Sequence, residues 1–191
     1  MMSSLALLPL GAPPEPVVER MGAGLHAAFG VGVTRMPSCP DPPDAFDPAR
    51  DQWNATAMLR ELLGRCAPDR RLLGVTERDL FLPVLSFVYG QAQLRGRVAV
   101  VSLARLRPEF HGLRPDPQQL ARRAVTEAVH EVGHTLGLVH CTDRRCPMAL
   151  SLGLADLDLK TAMPCASCAA LVRESGAVPE QTPTASTGGS P

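Results

Sequence analysis

The feature that most constrains this chain of 191 residues is a motif that holds three of its five histidines. His130 and His134 stand four residues apart in H-E-x-x-H, and His140 extends the pattern to H-E-x-x-H-x-x-G-x-x-H. On an α-helix, residues four apart share one face and lie about one turn apart, so both imidazoles can bind one metal ion. Catalytic zinc commonly has three protein ligands and a fourth position open to water. The motif therefore predicts a helix that presents two zinc ligands and a turn that returns the third.

Two further residues of the motif have separate roles. Glu131 follows the first histidine, where it is poorly placed to be a ligand but can reach a zinc-activated water and take its proton. Gly137 can adopt the left-handed conformation that ends a helix, which allows the chain to turn back toward His140. The alternative, that these histidines are ordinary surface or core residues, is disfavoured because each residue of the extended motif has its own geometric role. His26 and His111 lie outside the motif and are interpreted as ordinary surface or loop residues.

Four of the six cysteines follow the motif in two pairs. Cys141 and Cys146 form the first pair, and Cys165 and Cys168 form the second, a spacing typical of a closed, structural zinc site with four cysteine ligands. The alternatives are two disulfides, which a reducing compartment disfavours, or free core thiols. Because adjacent side chains of an extended segment point to opposite sides, we expect His140 and Cys141 to bind different zinc ions. The structural zinc would then anchor the segment that delivers His140.

Composition excludes several classes of protein. The net charge is zero and the pI is near 6.9, so there is no basic footprint for nucleic acids or anionic membranes. The longest uncharged stretch, Leu80 to Leu94, is shorter than the roughly 18 apolar residues of a membrane span. The apolar N-terminal residues lack a basic region and are better explained as a buried strand than as a signal peptide. We expect a cytoplasmic monomer that binds neither nucleic acid nor membrane.

Hydrophobic periodicity predicts a chain of mixed strands and helices. The predicted strands are Leu5–Leu10, Val31–Arg35, Leu72–Thr76, Val84–Ala92 and Arg97–Leu103. The predicted helices are Pro16–Phe29, Ala49–Cys66, Asp116 to about Leu136, and Ala166–Glu174. Asp116 can cap the helix that carries the motif, and Pro117 suits its first position. Arg97–Leu103 is so apolar that we expect it inside the sheet, with Val84–Ala92 at an edge.

A single domain is predicted over residues 1–175. Its N-terminal part covers about residues 1–137, and its C-terminal part, about residues 138–175, is held together by the four cysteines. Residues 176–191 consist mostly of Pro, Thr, Ser and Gly and have too few apolar residues to support folding. We therefore predict a disordered tail there.

These residues resemble the archaemetzincin family of metzincin peptidases. HEVGHTLGLVHC is followed by four residues, then by Cys146-Pro147-Met148, and sixteen residues later by CASC, one fewer than the family spacer. Upstream segments resemble the family as well, so the resemblance covers the chain up to about residue 175. These segments are LPLG at 8–11, RDQW at 50–53, DLF at 79–81, SFVYGQA at 86–92 and VSLARL at 101–106.

The resemblance implies an α/β (α+β) fold of the metzincin-like zincin type. A small mixed, twisted β-sheet would pack against a backing helix and the active-site helix, beside a compact C-terminal subdomain with the four-cysteine zinc site. His130, His134 and His140 would bind catalytic zinc, with Glu131 as general base. Met148 would form the Met-turn beneath that zinc. A peptide substrate would be added to an edge strand of the sheet.

The function expected is zinc-dependent hydrolysis of peptide bonds, with two zinc ions per chain. One alternative is a zinc-bearing binding or regulatory module with little or no hydrolytic activity, which would have no need of Glu131 as a base. Another is nucleic-acid binding through the four-cysteine unit, for which the neutral net charge offers little support. The residues do not decide between an aminopeptidase and an endopeptidase.

Overall fold

The structure is a computed structural model that describes residues 4–175. The strands are β1 (Leu5–Pro9), β2 (Val33–Arg35), β3 (Phe46–Asp47), β4 (Gln52–Asn54), β5 (Arg71–Thr76), β6 (Leu80–Leu82), β7 (Leu85–Val88), β8 (Gly90–Ala92) and β9 (Val98–Ser102). The helices are α1 (Glu15–Phe29), α2 (Ala55–Arg65), α3 (Pro117–Thr135), α4 (Leu154–Leu159) and α5 (Ala166–Glu174). The tail predicted to be disordered, 176–191, lies outside the described residues.

A five-stranded sheet in the order β2-β1-β5-β9-β8 forms the centre of the fold. The first four strands are parallel to one another, whereas β8 runs antiparallel to β9. Every residue of β1 and β9 is buried, as expected for parallel strands covered by helices on both faces. The prediction that Arg97–Leu103 lies inside the sheet is confirmed by β9, and the edge predicted at Val84–Ala92 is confirmed for its last residues, which form β8.

The central sheet separates two hydrophobic cores, and alternate residues of its strands face one core or the other. Leu5 and Leu7 of β1 face a core that also contains buried side chains of α1 and α3. Ala6 and Leu8 face the second core, which α2 covers. The sheet is thus a layer between two helical layers, with α1 beside α3 on one face. This mixed α/β architecture confirms the predicted fold class, and α1 corresponds to the expected backing helix.

A second sheet, in the order β3-β4-β6-β7, was not predicted. One reason is that the helix predicted at Ala49–Cys66 was wrong at its start: β4 occupies residues 52–54, and α2 begins only at Ala55. The Asn54 side chain accepts hydrogen bonds from the backbone N–H groups of Thr56 (2.9 Å) and Ala57 (3.2 Å). An asparagine that caps a helix in this way fixes the helix start at its own position.

The single strand predicted at Val84–Ala92 is in fact two strands in different sheets. β7 pairs with β6 in the second sheet, whereas β8 pairs with β9 in the first. The buried Tyr89 lies between them, where the chain passes from one sheet to the other. The short elements β6 and α4 were also missed, because segments of this length contain too few periods of a hydrophobic pattern.

Within residues 4–175, no helix combines the length and the apolar character that crossing a membrane requires.

Candidate active site

Helix α3 carries the histidine motif and has well-defined ends. The Asp116 side chain accepts a hydrogen bond from the backbone N–H of Gln119 at 2.9 Å, and Pro117 occupies the first turn, as predicted. At the other end, Gly137 has φ of +99°, the left-handed conformation expected from the sequence. Its N–H donates to the His134 carbonyl, and the next N–H, of Leu138, donates to the Gly133 carbonyl, both at 3.0 Å. These two bonds reverse the chain so that the following residues return toward the helix.

The turn brings together the three histidines named from the sequence. One ring nitrogen from each of His130, His134 and His140 lies within 4.8 Å of the others. The Nε2 atoms of His130 and His134 are only 3.0 Å apart. His130 is buried, His134 is half-buried and His140 is exposed. The cluster is therefore open to solvent on the side of His140.

Hydrogen bonds to backbone carbonyls fix the protonation of two of the rings. The Nδ1 atom of His130 lies 2.8 Å from the Pro147 oxygen, and that of His134 lies 2.8 Å from the Leu138 oxygen. A carbonyl accepts hydrogen bonds only, so each Nδ1 carries a proton, and in the neutral ring each Nε2 then presents a lone pair. Two such lone pairs at 3.0 Å repel each other unless a shared cation lies between them. The donor set therefore fits a metal ion such as zinc.

The electrostatic surroundings keep both rings neutral. Burial lowers the pKa of His130 to about 3, and the neighbouring His134 acts in the same direction. Burial also lowers the pKa of His134. A metal ion binds only the neutral imidazole, so these pKa shifts favour the ligand form at neutral pH.

Glu131 points into the same cleft and is 4% exposed. A β-carbon on Gly90 would lie 2.7 Å from both Cγ and Oε1 of Glu131, so the edge strand β8 passes directly beside this carboxyl group. Glu127, one helical turn earlier, is also buried and lines the same cleft. Burial and the charge of Glu127 raise the pKa of Glu131 well above its ordinary value. Burial raises the pKa of Glu127 to about 7, against the opposing effect of Lys160.

Sequence reasoning missed Glu127 and Lys160. A signal for Glu127 existed, because it stands four residues before Glu131 and so lies on the same helix face. Lys160 follows α4, and its Nζ donates to the carbonyl oxygens of Pro147 (3.2 Å) and Ala149. No local pattern in the sequence links it to the motif.

The cleft that contains these groups has a volume of about 530 Å³ and lies between β7–β8 and helix α3. Its lining includes apolar side chains at Leu85, Phe87, Leu150 and Leu152. The residues that flank β8, Tyr89 and Gln93, are hydrogen-bonded to the neighbouring strand segment. Ser102 N–H donates to the Tyr89 oxygen, and Gln93 N–H donates to the Val98 oxygen. In an antiparallel pair these roles alternate, so the N–H and C=O groups of Gly90 and Ala92 face away from β9. They are available to an added strand.

Met148 is fully buried below the histidine helix. A β-carbon on Gly133 would lie 2.4 Å from the Met148 sulfur, so the helix can approach this methionine only because position 133 has no side chain. The preceding residue, Pro147, provides the carbonyl that orients His130. Met148 and Gly133 thus fix the distance between the helix and the turn beneath it, and sequence reasoning had found only the first of them.

The four predicted cysteines form a second cluster. Their sulfur atoms all lie within 4.8 Å of one another, and the Cys141–Cys165 and Cys146–Cys168 separations are both 3.8 Å. All four thiols are free, since a disulfide would need about 2.05 Å. A regular tetrahedron of sulfurs at about 2.3 Å from a central zinc has edges of about 3.8 Å. The observed spacing therefore fits a zinc site with four cysteine ligands and excludes the two disulfides that were one of the alternatives.

The two clusters share one short segment. His140 contributes to the first cluster and Cys141 to the second, as the alternation of side chains predicts. The Cys141 N–H donates to the Met148 carbonyl at 2.9 Å, which closes the loop between them. The cysteine cluster is therefore adjacent to His140 in the chain and hydrogen-bonded to Met148.

The remaining histidines lie elsewhere. His26 Nδ1 is 2.9 Å from the Val31 oxygen, and His111 Nε2 is 2.9 Å from the Arg105 oxygen. Neither lines the cleft or joins a metal-binding group among residues 4–175. Cys39 and Cys66 are free thiols outside the cysteine cluster.

Comparison with known proteins identifies related peptidases. The model of a family described as peptidase family M54 matches residues 57–174. The archaemetzincin of Methanocaldococcus jannaschii is 37% identical over 176 residues, which cover 92% of this chain and 96% of that protein. The archaemetzincin of Methanopyrus kandleri is 43% identical over 157 residues, which cover 82% of this chain and 86% of that protein.

Solved structures share the fold. A crystal structure of archaemetzincin from Methanopyrus kandleri matches with a TM-score of 0.81 and 38% identity, covering 91% of this chain and 95% of that chain. A zinc-dependent peptidase from Methanocorpusculum labreanum matches with a TM-score of 0.82 and 30% identity, covering 88% of this chain and 99% of that chain.

The fold, the clustered histidines and these matches define the class of the protein as a zinc metallopeptidase. This confirms the class of enzyme expected from the motif. Within that class, the chain belongs to peptidase family M54, the archaemetzincins. The resemblance carried by the sequence motifs is thereby confirmed as well.

Proposed function

We propose that this protein hydrolyses peptide bonds with a zinc ion held by His130, His134 and His140 and with Glu131 as the general base. The observation that carries the proposal is the pair of imidazoles whose Nδ1 atoms are held by carbonyls, with a buried carboxyl group beside them. This arrangement leaves the two Nε2 atoms 3.0 Å apart, where a shared metal ion would relieve the repulsion between their lone pairs. Met148 supports the site from below, and Gly137 supports it by turning the chain.

A second zinc ion, bound by Cys141, Cys146, Cys165 and Cys168, belongs to the same proposal. Four thiolates complete a tetrahedral shell and leave no position for substrate, so this ion would be structural. We assign residues 1–175 to one domain, in which the four-cysteine site stabilises the part from about 138 to 175. The spacing of 3.8 Å between paired sulfurs is the support for this assignment.

In the proposed mechanism, β8 binds the peptide and Glu131 transfers a proton. An extended peptide pairs with the free N–H and C=O groups of Gly90 and Ala92, which brings its backbone into the cleft. Zinc, when bound, supplies a Lewis acid that activates water and stabilises negative charge on the carbonyl oxygen. Glu131 accepts the proton of the attacking water and passes it to the leaving amine. The low exposure of Glu131 favours this transfer, because bulk water does not compete for the proton.

The proposal includes a cytoplasmic location and a monomeric state. The chain has six cysteines, all of them free thiols in the structure, as is usual in a reducing compartment. Size-exclusion chromatography with light scattering would test the monomeric state.

The decisive experiment compares wild type with Glu131→Gln on a mixture of fluorogenic peptides. The variant should keep its zinc content, because all ligands remain, and should lose at least about a hundredfold in turnover, as for the loss of a general base. Glu61→Gln, an exposed position on α2, is the matched control and should match wild type. Equal turnover in wild type and Glu131→Gln would contradict the role of Glu131. Peptide binding without hydrolysis by zinc-loaded wild type would favour the alternative, a zinc-bearing binding module.

A further inference from the structure

The chain contains a single lysine, and it lies in the cleft. Of the 19 lysine and arginine residues, 18 are arginines and the remaining one is Lys160. Lys160 is half-buried and lines the same cleft as the histidines. Lysine and arginine are not interchangeable, because a compact ammonium group carries three rotatable donors whereas a guanidinium is a planar fork. The proposed mechanism does not use this ammonium group, so its role must be found in its contacts.

The contacts of Lys160 are made to backbone carbonyl groups on both sides of Met148. Its Nζ donates to the Pro147 oxygen at 3.2 Å and to the Ala149 oxygen. Within residues 4–175 it takes part in no ion pair. The ammonium group therefore holds the turn around Met148 and does not hold a carboxylate.

The Pro147 carbonyl joins Lys160 to the histidine cluster. The same oxygen lies 2.8 Å from Nδ1 of His130, which donates to it, so both lone pairs of the oxygen have a donor. The position of this oxygen sets the direction in which the His130 ring presents Nε2 to a metal ion. Hydrogen-bond partners of this kind fix the tautomer and the orientation of histidine ligands.

Lys160 is itself held against α3. It directly follows α4, whose Asp158 accepts two hydrogen bonds of 2.7 Å from Arg123, a buried residue of α3. The next residue, Thr161, donates to the Arg145 oxygen from its N–H (2.8 Å) and from its hydroxyl group (3.2 Å). These contacts form a closed path from α3 through α4 to the turn, and from the turn back to a ring on α3.

We propose that Lys160 is a positioning residue, which fixes the Pro147 carbonyl and, through that carbonyl, the His130 ring at the zinc ion. The inference rests on the proposed function, because it requires a metal ion at His130. The charge and the hydrogen bonds of Lys160 have opposite effects on zinc. An ammonium group repels a nearby cation, so removal of its charge alone would strengthen zinc binding, whereas loss of its hydrogen bonds would weaken it.

Zinc competition on Lys160→Met tests which effect dominates. Methionine is similar in shape but donates no hydrogen bond. Because the hydrogen-bond partners of metal ligands typically contribute tenfold to a hundredfold to affinity, we expect the histidine-bound zinc to bind about tenfold more weakly, with the cysteine-bound zinc retained. Thr161→Val is the matched control, since it loses side-chain hydrogen bonds in the same segment but none to Pro147 or Ala149. It should bind zinc like wild type.

Nuclear magnetic resonance separates positioning from a purely structural role. In zinc-loaded protein isotopically labelled at the histidine nitrogens, the Nδ1–H signal of His130 reports its hydrogen bond to the Pro147 oxygen. This signal should shift in Lys160→Met and stay in place in Thr161→Val, even if thermal unfolding shows the same loss of stability in both.

Wild type offers a test that does not depend on the folding of any variant. Because Lys160 is the only lysine, labelling with isotopic lysine gives a single side-chain ammonium signal. Loading the histidine cluster with zinc, in protein that already holds zinc at the cysteines, should shift this signal, since Lys160 and His130 share one acceptor.

Three results would overturn the inference and leave the proposed function intact: zinc binding by Lys160→Met that equals or exceeds that of wild type, equal changes in Lys160→Met and Thr161→Val, or an ammonium signal that does not respond to zinc at the histidines. Wild type that takes up no zinc at the histidines would instead overturn the proposed function, and the inference with it.

Discussion

Gly90 determines how closely the edge strand approaches Glu131, and this contact gives a prediction at the scale of single residues. In Gly90→Ala, the added methyl group would lie 2.7 Å from Glu131 and 2.8 Å from the Val100 oxygen, so the carboxyl group must move. Because displacement by about 1 Å at a reacting centre can reduce a rate by about a hundredfold, we expect a loss of that order in turnover with zinc content unchanged. Peptide hydrolysis and metal analysis would measure the two effects.

Gly64→Ala is the matched control for Gly90→Ala. Gly64 is an exposed residue of α2, and no atom lies within 4 Å of the position that a β-carbon would take there, so the added methyl group has space. This variant should retain full turnover and gain up to about 1 kcal/mol of helix stability. Equal turnover in Gly90→Ala and Gly64→Ala would show that Glu131 tolerates the displacement.

The buried ring of His130 predicts a pH dependence for the metal-free protein. Its pKa is lowered to about 3 in the folded state, whereas an unfolded histidine titrates near 6.5. Between these values the unfolded state binds more protons, so the free energy of unfolding should fall as the pH drops from about 6.5 toward 3. One proton contributes at most about 1.4 kcal/mol per pH unit to this slope.

Urea denaturation in the presence of a chelator, repeated across this pH range, would measure the slope. His130→Asn removes the titrating ring and should show a shallower dependence than wild type. His26→Asn, at the C-terminal end of α1 and outside the cleft, serves as the control for the loss of a histidine. A slope that is the same in His130→Asn and wild type would contradict the prediction.

At the scale of elements, the end of α3 controls the histidine cluster through Gly137. An alanine there must adopt φ near +99° and would also meet the Arg95 side chain at 3.2 Å. We expect Gly137→Ala to lose about 1–2 kcal/mol of stability and to bind the catalytic zinc more weakly, because His140 is displaced. Thermal unfolding and competition with a zinc indicator would quantify both effects.

Gly112 offers a control of the same conformational type. It has φ of +73°, no atom lies within 4 Å of its β-carbon position, and it ends a short 3₁₀ helix. Gly112→Ala should therefore lose a similar amount of stability but keep its zinc affinity. If both variants weaken zinc binding equally, the turn at Gly137 has no specific role in placing His140.

Long elements were predictable from the sequence, whereas short ones were not. The helices α1 and α3 and the strands β5 and β9 each contain enough apolar residues in a regular pattern to identify them. The second sheet consists of strands of two to four residues, and its pairing depends on tertiary contacts such as Phe46 with Trp53, whose ring centroids are 4.5 Å apart. The start of α2 was mispredicted for a related reason. Asn54 lies inside an apparently helical pattern, but it caps the helix, so α2 begins after it and not at Ala49.

At the scale of the whole molecule, the metal-binding groups were predictable because their ligands lie close together in the sequence, at spacings typical of metal sites. Three histidines and two cysteine pairs were found in one stretch of the chain, and the fold brings each set together. The roles of Lys160 and Gly90 in the cleft could not be predicted from sequence spacing. They reach the cleft only because α4 and β8 pack against α3, and a single sequence carries no pattern for such long-range contacts.

The adjacency of His140 and Cys141 leads to a last prediction, which concerns the molecule as a two-zinc unit. Wild type should contain two zinc ions per chain, and Cys165→Ser should lose the structural one. Structural zinc contributes on the order of 10–16 kcal/mol of apparent binding free energy in small domains, so its loss should release the segment beyond Gly137. Since that segment delivers His140, the remaining zinc should bind more weakly than in wild type.

Metal analysis and zinc competition on Cys165→Ser would measure this coupling, with Cys39→Ser, a free thiol outside the cluster, as the control. Cys39→Ser should retain both ions with wild-type affinity. One zinc in wild type and Cys165→Ser alike would show that the cysteines are not ligands. A Cys165→Ser protein that holds one zinc at the histidines with unchanged affinity would show that His140 is placed by the turn at Gly137 alone. The expected result is one zinc ion that is bound more weakly than in wild type. It would show that both the end of α3 and the cysteine cluster position His140.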